Sequence, residues 1–187
     1  QDLNLKVADI GCGSGGQTIT LASKLNAEIT AVDLFPEFLE ELNEKAQRLG
    51  LSHKIHTLEK SMEDLPFEKN SLDLIWSEGA VYNIGFENGL KKWKDYLKPG
   101  GYIALSEITW ITCSRPKEIE DFWMGEYPEI DTASNKIQQV ENNGYSMGTA
   151  AKRHTVAEIV DRAKGYGMKS AVINGMDVFS VYEKMKE

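Results

Sequence analysis

VADIGCGSGGQT, residues 7–18, decides the fold: an apolar run stops on a glycine-rich turn, and a helical pattern follows. A short apolar stretch that ends on glycines reads as a buried strand entering a tight turn. Two glycine spacings overlap inside it. Gly11, Gly13 and Gly16 fit the G-x-G-x-x-G fingerprint of dinucleotide loops. Gly11, Gly13 and Gly15 instead fit G-x-G-x-G behind an acid, Asp9. Under either reading the glycines let the backbone approach a ligand that side chains would block. Cys12 reads as the small residue this turn wants rather than as a catalytic thiol, since no histidine is near it in sequence.

The flanking chain alternates strand and helix. Residues 14–26 have helical spacing through Ile19, Ala22 and Leu25, and EITAVD (28–33) is a second strand ending in an acid. Pro36 opens a helix whose Phe38, Leu39, Leu42, Ala46 and Leu49 form an apolar stripe, with Gly50 at the stop. KIHTLE (54–59), LDLIWS (72–77) and YIALSEITWI (102–111) read as further strands, FENGLKKWKDYL (86–97) as an amphipathic helix and PGG (99–101) as a turn. This rhythm predicts an α/β fold, a mostly parallel sheet with helices on both faces. Ligands in such sheets bind beyond the C-terminal strand ends, near the switch point beside the first strand.

The bulk composition narrows the function. With 187 residues the chain is long enough for one sizeable domain. A net charge of −8 without a dense Lys/Arg stripe disfavours nucleic acid as a partner. No apolar run approaches the ~18 residues of a membrane span, so no membrane partner is expected, and two cysteines are consistent with a reducing cytoplasm. His53 and His56, three apart in the expected third strand, should point to opposite faces, and His154 stands alone; no metal site is expected. These features leave RNA or protein open as a substrate only through a local patch, and leave oligomeric state open.

Asp33 and Asp9 refine the loop. Asp33 ends the second strand, where a carboxylate accepts both hydroxyls of a ribose. That fits NAD and S-adenosylmethionine alike. Asp9 discriminates, because a diphosphate sits badly beside a carboxylate, whereas S-adenosylmethionine brings an ammonium and a sulfonium. An NAD(P)-dependent oxidoreductase is therefore the weaker alternative. Candidate bases or acceptor anchors, each at or just past a strand end, are Glu78, Tyr82 and Glu107. Trp110, Trp123 and Tyr127 read more readily as packing than as pocket walls.

VADIGCGSGGQT, AVDLFPEFLE, MEDLPFEKNSLDLIWSEGAVYNIGF and LKPGGYIALSE follow one another as in class I S-adenosylmethionine-dependent methyltransferases, and residues 3 to 140 resemble that family. The resemblance implies a Rossmann-like sheet and a methyl transfer to a small molecule. It places Gly11, Gly13 and Gly15 along the methionine portion with Asp9 near its amino group, Asp33 on the ribose, and Leu34 against the adenine. Ser61 and Met62 would border the adenine edge, although many relatives carry an acid at the Ser61 position. Ser77, Glu78 and Gly79 would face the transferred methyl.

The resemblance fails at both ends. The leading helical segment usual in that family does not precede the first strand here. Residues 140–187, atypical of the fold, resemble instead the alpha subunit of thiamine-diphosphate-dependent 2-oxo acid dehydrogenases, where ENNGYSMGT ends a cofactor motif. That motif's upstream Gly-Asp-Gly is absent from residues 105–120, so neither thiamine diphosphate nor magnesium is expected, and Asn142 and Asn143 read as a polar helix end. A short helix and then a Pro-containing loop over 115–131, helices over 134–143 and 154–167, a strand at KSAVING and a closing helix complete the reading. With such a tail the alternative to an active enzyme is a non-catalytic adenosyl-ligand-binding domain.

Overall fold

The computed structural model of the chain describes residues 5–110 and 114–146. Five strands form its sheet: β1 (Leu5–Ile10), β2 (Ala27–Asp33), β3 (Ile55–Glu59), β4 (Leu72–Ser77) and β5 (Leu97–Leu105). Between them run α1 (Gly16–Lys24), α2 (Pro36–Arg48) and α3 (Phe86–Lys94), the last preceded by a 3-10 turn at Val81–Ile84. All neighbours pair in parallel, in the order β3-β2-β1-β4-β5. The chain steps outward from β1 to β3 and then crosses to the other side of β1 for β4 and β5. The loops after β1 and β4 therefore meet at the switch point.

One core lies on the α1/α2 face, where Val7, Ile29, Ala31 and Ile55 of the sheet meet Leu21, Ala22, Leu42 and Ala46. Each large side chain buried there contributes about 1.5–3 kcal/mol. The inward stripe of α2 is narrower than the sequence predicts: Leu39, Leu42 and Ala46 are buried, while Phe38 and Leu49 are exposed. Phe38 packs edge-on against Phe35, also exposed, with ring centroids 5.8 Å apart. In α1 the buried residues are Thr18, Leu21 and Ala22. Ile19 and Leu25 are partly buried and pack against the same core, Leu25 from the extended backbone just past the helix.

The PGG segment is not a turn before a strand but part of β5. The register with β4 jumps from Leu72↔Leu97 to Leu74↔Tyr102, so the extra residues are absorbed as a bulge. A Cβ on Gly101 would lie 3.0–3.3 Å from the carbonyl oxygens of Lys98, Leu72 and Asp73, which is why glycine follows the proline there. The strand then stops at Leu105, short of the predicted Ile111.

Beyond the sheet come β6 (Thr109–Trp110), α4 (Lys117–Glu126), β7 (Asp131–Thr132) and α5 (Ala133–Asn142), with β6 and β7 forming a small ladder. The described residues divide into two compact units: 5–108 with 116–131, and 109–110 and 114–115 with 132–146. Within the first unit Tyr127 and Ile130 are buried, and Glu129 accepts the Phe86 N–H at 3.0 Å, capping α3. Within the second, the Arg115 guanidinium lies 4.2 Å over the Trp110 ring, and Thr132 caps α5 through the Asn135 N–H. The Asn143 side-chain amide donates to the Gln139 carbonyl at 2.8 Å, a polar helix end. The expected helix over 154–167, the strand at KSAVING and the closing helix lie outside the described residues, as does any pairing of that tail with the sheet.

Candidate functional site

The turn after β1 is tied down by its own backbone. Gly11 and Cys12 donate N–H groups to the Val32 carbonyl at 2.8 and 3.0 Å, and Gly15 donates to Cys12 at 3.0 Å. Gly11 and Gly15 are required twice over, by conformation and by space. Their φ values are +74° and +82°, and a Cβ would come within 2.4 Å of the Ala80 side chain or 2.2 Å of Leu42. Gly13 differs: a Cβ there would meet nothing within 4 Å, so its missing side chain leaves open space above the loop. Gly16 has no positive φ and no close neighbour either, which makes it the first residue of α1 and not a required member of the motif.

Acids converge on this turn. Asp33 accepts the Gly13 N–H at 2.8 Å through Oδ2 and the Phe35 N–H at 3.1 Å through Oδ1, fixing the loop against the end of β2. Asp9 is only 2% exposed, and its Oδ2 accepts the hydroxyl of the fully buried Thr18 at 2.6 Å. Its Oδ1 accepts no hydrogen bond among the described residues. Burial pushes the Asp9 carboxyl up to about 6; the Thr18 bond opposes this, and the charges of Glu78 and Asp33 add to it. Burial, with Asp9 and Asp33 beside it, also pushes the Cys12 thiol well above its ordinary range, the opposite of what a nucleophile needs.

The rest of the rim is apolar or carbonyl-lined. Leu34, Phe35 and Phe38 present an exposed apolar lip past β2. Met62 lies over Gly11, its terminal methyl 3.4 Å from where a Cβ would stand. The Met62 carbonyl accepts the indole N–H of fully buried Trp93 at 3.0 Å, and the Ser61 hydroxyl accepts the Glu63 N–H at 3.2 Å. Ser77 does not present its side chain to a ligand as the resemblance implied. It is fully buried, and its hydroxyl donates to the Ile10 carbonyl at 2.8 Å, linking β4 to β1.

The candidate acceptor-side residues separate into two kinds. Glu78 is exposed just past β4, and Tyr82 is 38% exposed on the 3-10 turn. Glu107 is instead engaged: the Tyr127 hydroxyl donates to its Oε1, while burial and that bond push the Tyr127 phenol up. Tyr82 and Tyr127 meet edge to face at 5.9 Å. Trp123 packs edge-on against Phe122.

Two residues that sequence reasoning did not select also shape the site. Ser106 accepts the Gly79 N–H at 2.8 Å, and Thr18 holds Asp9. The signal for Thr18 was available as a polar residue in register with Leu21 and Ala22 on a buried helix face. At the opposite end of the sheet a cavity of about 390 Å3 is lined by Asn26, Ala27, Glu28, His53, Lys54 and His56. The two histidines share it, contrary to the opposite-face expectation, because β3 begins only at Ile55 and leaves His53 in the preceding turn. Among the described residues no group of three His, Cys, Asp or Glu is placed to hold a metal.

Comparison with known proteins agrees with this geometry. Residues 7–101 match the model of the methyltransferase domain, and residues 119–187 match that of the dehydrogenase E1 component. Tocopherol O-methyltransferase from Arabidopsis thaliana is 35% identical over 106 residues, covering 56% of this chain and 30% of that protein. Demethylmenaquinone methyltransferase from Staphylococcus haemolyticus is 30% identical over 126 residues, covering 64% of this chain and 52% of its own. The chain thus spans about a third to a half of these relatives. The crystal structure of geranyl diphosphate C-methyltransferase from Streptomyces coelicolor superposes with a TM-score of 0.63 at 17% identity, over 75% of this chain and 53% of that one, a likeness of fold. With half of its length matched by the domain model, on a five-stranded sheet of order 3-2-1-4-5, the chain belongs to the methyltransferase domain family.

Proposed function

We propose that the chain binds S-adenosylmethionine in the turn after β1 and transfers its methyl group to a small-molecule acceptor. The observation that carries this reading is the convergence of Asp9, Asp33 and Glu78 on an open glycine turn, with Asp9 buried. Such a site repels a diphosphate and favours a ligand with an ammonium and a sulfonium. The open space at Gly13 is where a Cβ would obstruct such a ligand. Asp33 would hold the ribose hydroxyls, Leu34 and Met62 would enclose the adenine, and Asp9 would face the amino group. When bound, S-adenosylmethionine supplies a methyl carbon already activated by its sulfonium. The chain's own task is to align the acceptor and accept its proton. Glu78, exposed at the end of β4, would take that proton on its carboxylate, and Tyr82 would orient the acceptor through its phenol. Glu107, already bonded to Tyr127, serves to shape the acceptor side.

The names of the relatives, a tocopherol and a demethylmenaquinone enzyme, support a small-molecule acceptor. No helix among the described residues is long and apolar enough to cross a membrane. We read the methyltransferase core as residues 1–140 and the remainder as a segment foreign to the family. Calorimetry against S-adenosylmethionine, S-adenosylhomocysteine and NADH tests the proposal. Binding of the two sulfur compounds without NADH supports it, and tight NADH binding alone overturns it. Release of S-adenosylhomocysteine across a panel of acceptors then separates an enzyme from a binding domain.

A further inference from the structure

Asp9 stands out because it is a carboxylate on the core face of a central strand with only one oxygen engaged. It lies opposite Ala31 and Trp76 in the register of β1 with β2 and β4. Its Oδ2 is held by Thr18 of α1, and its Oδ1 accepts nothing among the described residues. A buried anion of this kind is costly unless a cation arrives to meet it. We propose that Thr18 is a positioning residue of the ligand site: its hydroxyl pins one oxygen of Asp9 so that the other receives the ligand's ammonium group, whose arrival displaces a proton from Asp9. This rests on the reading that the turn binds S-adenosylmethionine and its product.

The surroundings leave the proton nowhere else to come from. The charges that act on Asp9 are Glu78 past β4 and Asp33 at the end of β2, and both are acids. Cys12, in the turn itself, stays protonated. Lys45 of α2 reaches the turn but donates to the Ser14 carbonyl and hydroxyl and pairs with Glu41. The step balances as an exchange: the Asp9 O–H proton leaves to solvent, and the ammonium, which keeps its own protons, donates to the carboxylate so formed. With the Asp9 carboxyl raised to about 6, that exchange falls within an accessible range of pH. Removal of the Thr18 donor takes away the one interaction that favours the charged form, so the exchange moves to higher pH.

The test is calorimetric titration of the full chain with S-adenosylhomocysteine, in pairs of buffers of different ionisation enthalpy, from pH 5 to 8.5. Wild type should release a fraction of a proton below about pH 6.5 and none at pH 8, with affinity falling about tenfold per pH unit below 6. Thr18→Val should shift proton release upward in pH and weaken binding at pH 7 about tenfold. Thr18→Ser should restore the wild-type profile, and Asp9→Asn should abolish proton release. Wild type that binds without releasing protons overturns the proposal, as does a Thr18→Val profile that coincides with wild type. If Thr18→Val fails to fold, Thr18→Ala in the same titration decides, since it too lacks the hydroxyl that holds Asp9. Failure of wild type to bind either sulfur compound would instead refute the ligand reading itself.

Discussion

Asp9→Asn should remove a pH-dependent loss of stability from the unliganded protein while it damages the proposed ligand site. The Asp9 carboxyl lies at 3.8 in an exposed chain and at about 6 here, with burial the leading cause. Each tenfold change in proton affinity is ~1.4 kcal/mol, so holding this group charged above pH 6 costs the folded state about 3 kcal/mol. The sign follows from proton counts. Between those two values the folded state holds the proton that the unfolded chain has lost, so stability falls as pH rises. The contribution of the protonated group is complete below 3.8 and lost as pH passes through 6. Asparagine removes that loss, and its carbonyl can still accept from Thr18. Its amide adds a desolvation cost of about 1–3 kcal/mol, but that cost does not vary with pH. Urea unfolding of both proteins from pH 4 to 7.5, with unchanged m, therefore isolates the carboxylate. The variant should gain about 2.5 kcal/mol on wild type between pH 4 and 7.5, roughly 5–10 °C in Tm for a chain of this size. Parallel stability curves would refute the reasoning.

Gly15→Ala places a Cβ 2.2 Å from Leu42 at a φ of +82°, and should cost about 2–4 kcal/mol by urea unfolding; a cost below about 1 kcal/mol would contradict the packing argument. Asp33→Ala loses both the proposed ribose contact and the tie to Gly13, and S-adenosylhomocysteine affinity should fall about 30-fold, near 2 kcal/mol, by calorimetry. Unchanged affinity would remove Asp33 from the site. Tyr127→Phe deletes the donor to Glu107 and should lower stability by about 1.5–3 kcal/mol in chemical denaturation; a neutral result would show that the bond contributes nothing.

The sheet was legible because its strands are short apolar runs bounded by glycines or acids, and β4 was read to the residue at Leu72–Ser77. β5 was misread because Pro99 and two glycines ordinarily signal a turn, while here the neighbouring β4 accommodates them as a bulge. In α2 the apolar pattern overstated the buried stripe, since Phe38 and Leu49 lie beside it and face outward. Asp9, Asp33 and the three glycines of the candidate site are selected by spacing, which fixes where a turn leaves the sheet. Ser77 illustrates the limit of that logic: a strand-end hydroxyl near a ligand loop is equally able to bond a neighbouring carbonyl. Thr18 was missed because a polar residue on an apolar helix face shows its partner only when the strand beneath it is in place. The Glu107–Tyr127 pair joins residues 20 apart, beyond the reach of any local pattern.

The match to the dehydrogenase component begins at residue 119, yet Tyr127, Glu129 and Ile130 are working parts of the first unit. Kinship and cohesion thus draw different lines through this chain. A graft made at residue 119 would strip the cap from α3, the phenol from Glu107 and a buried isoleucine in one stroke. A graft made after Asp131 would leave all three in place, so the safe seam for exchanging tails lies about a dozen residues past the point where resemblance changes hands.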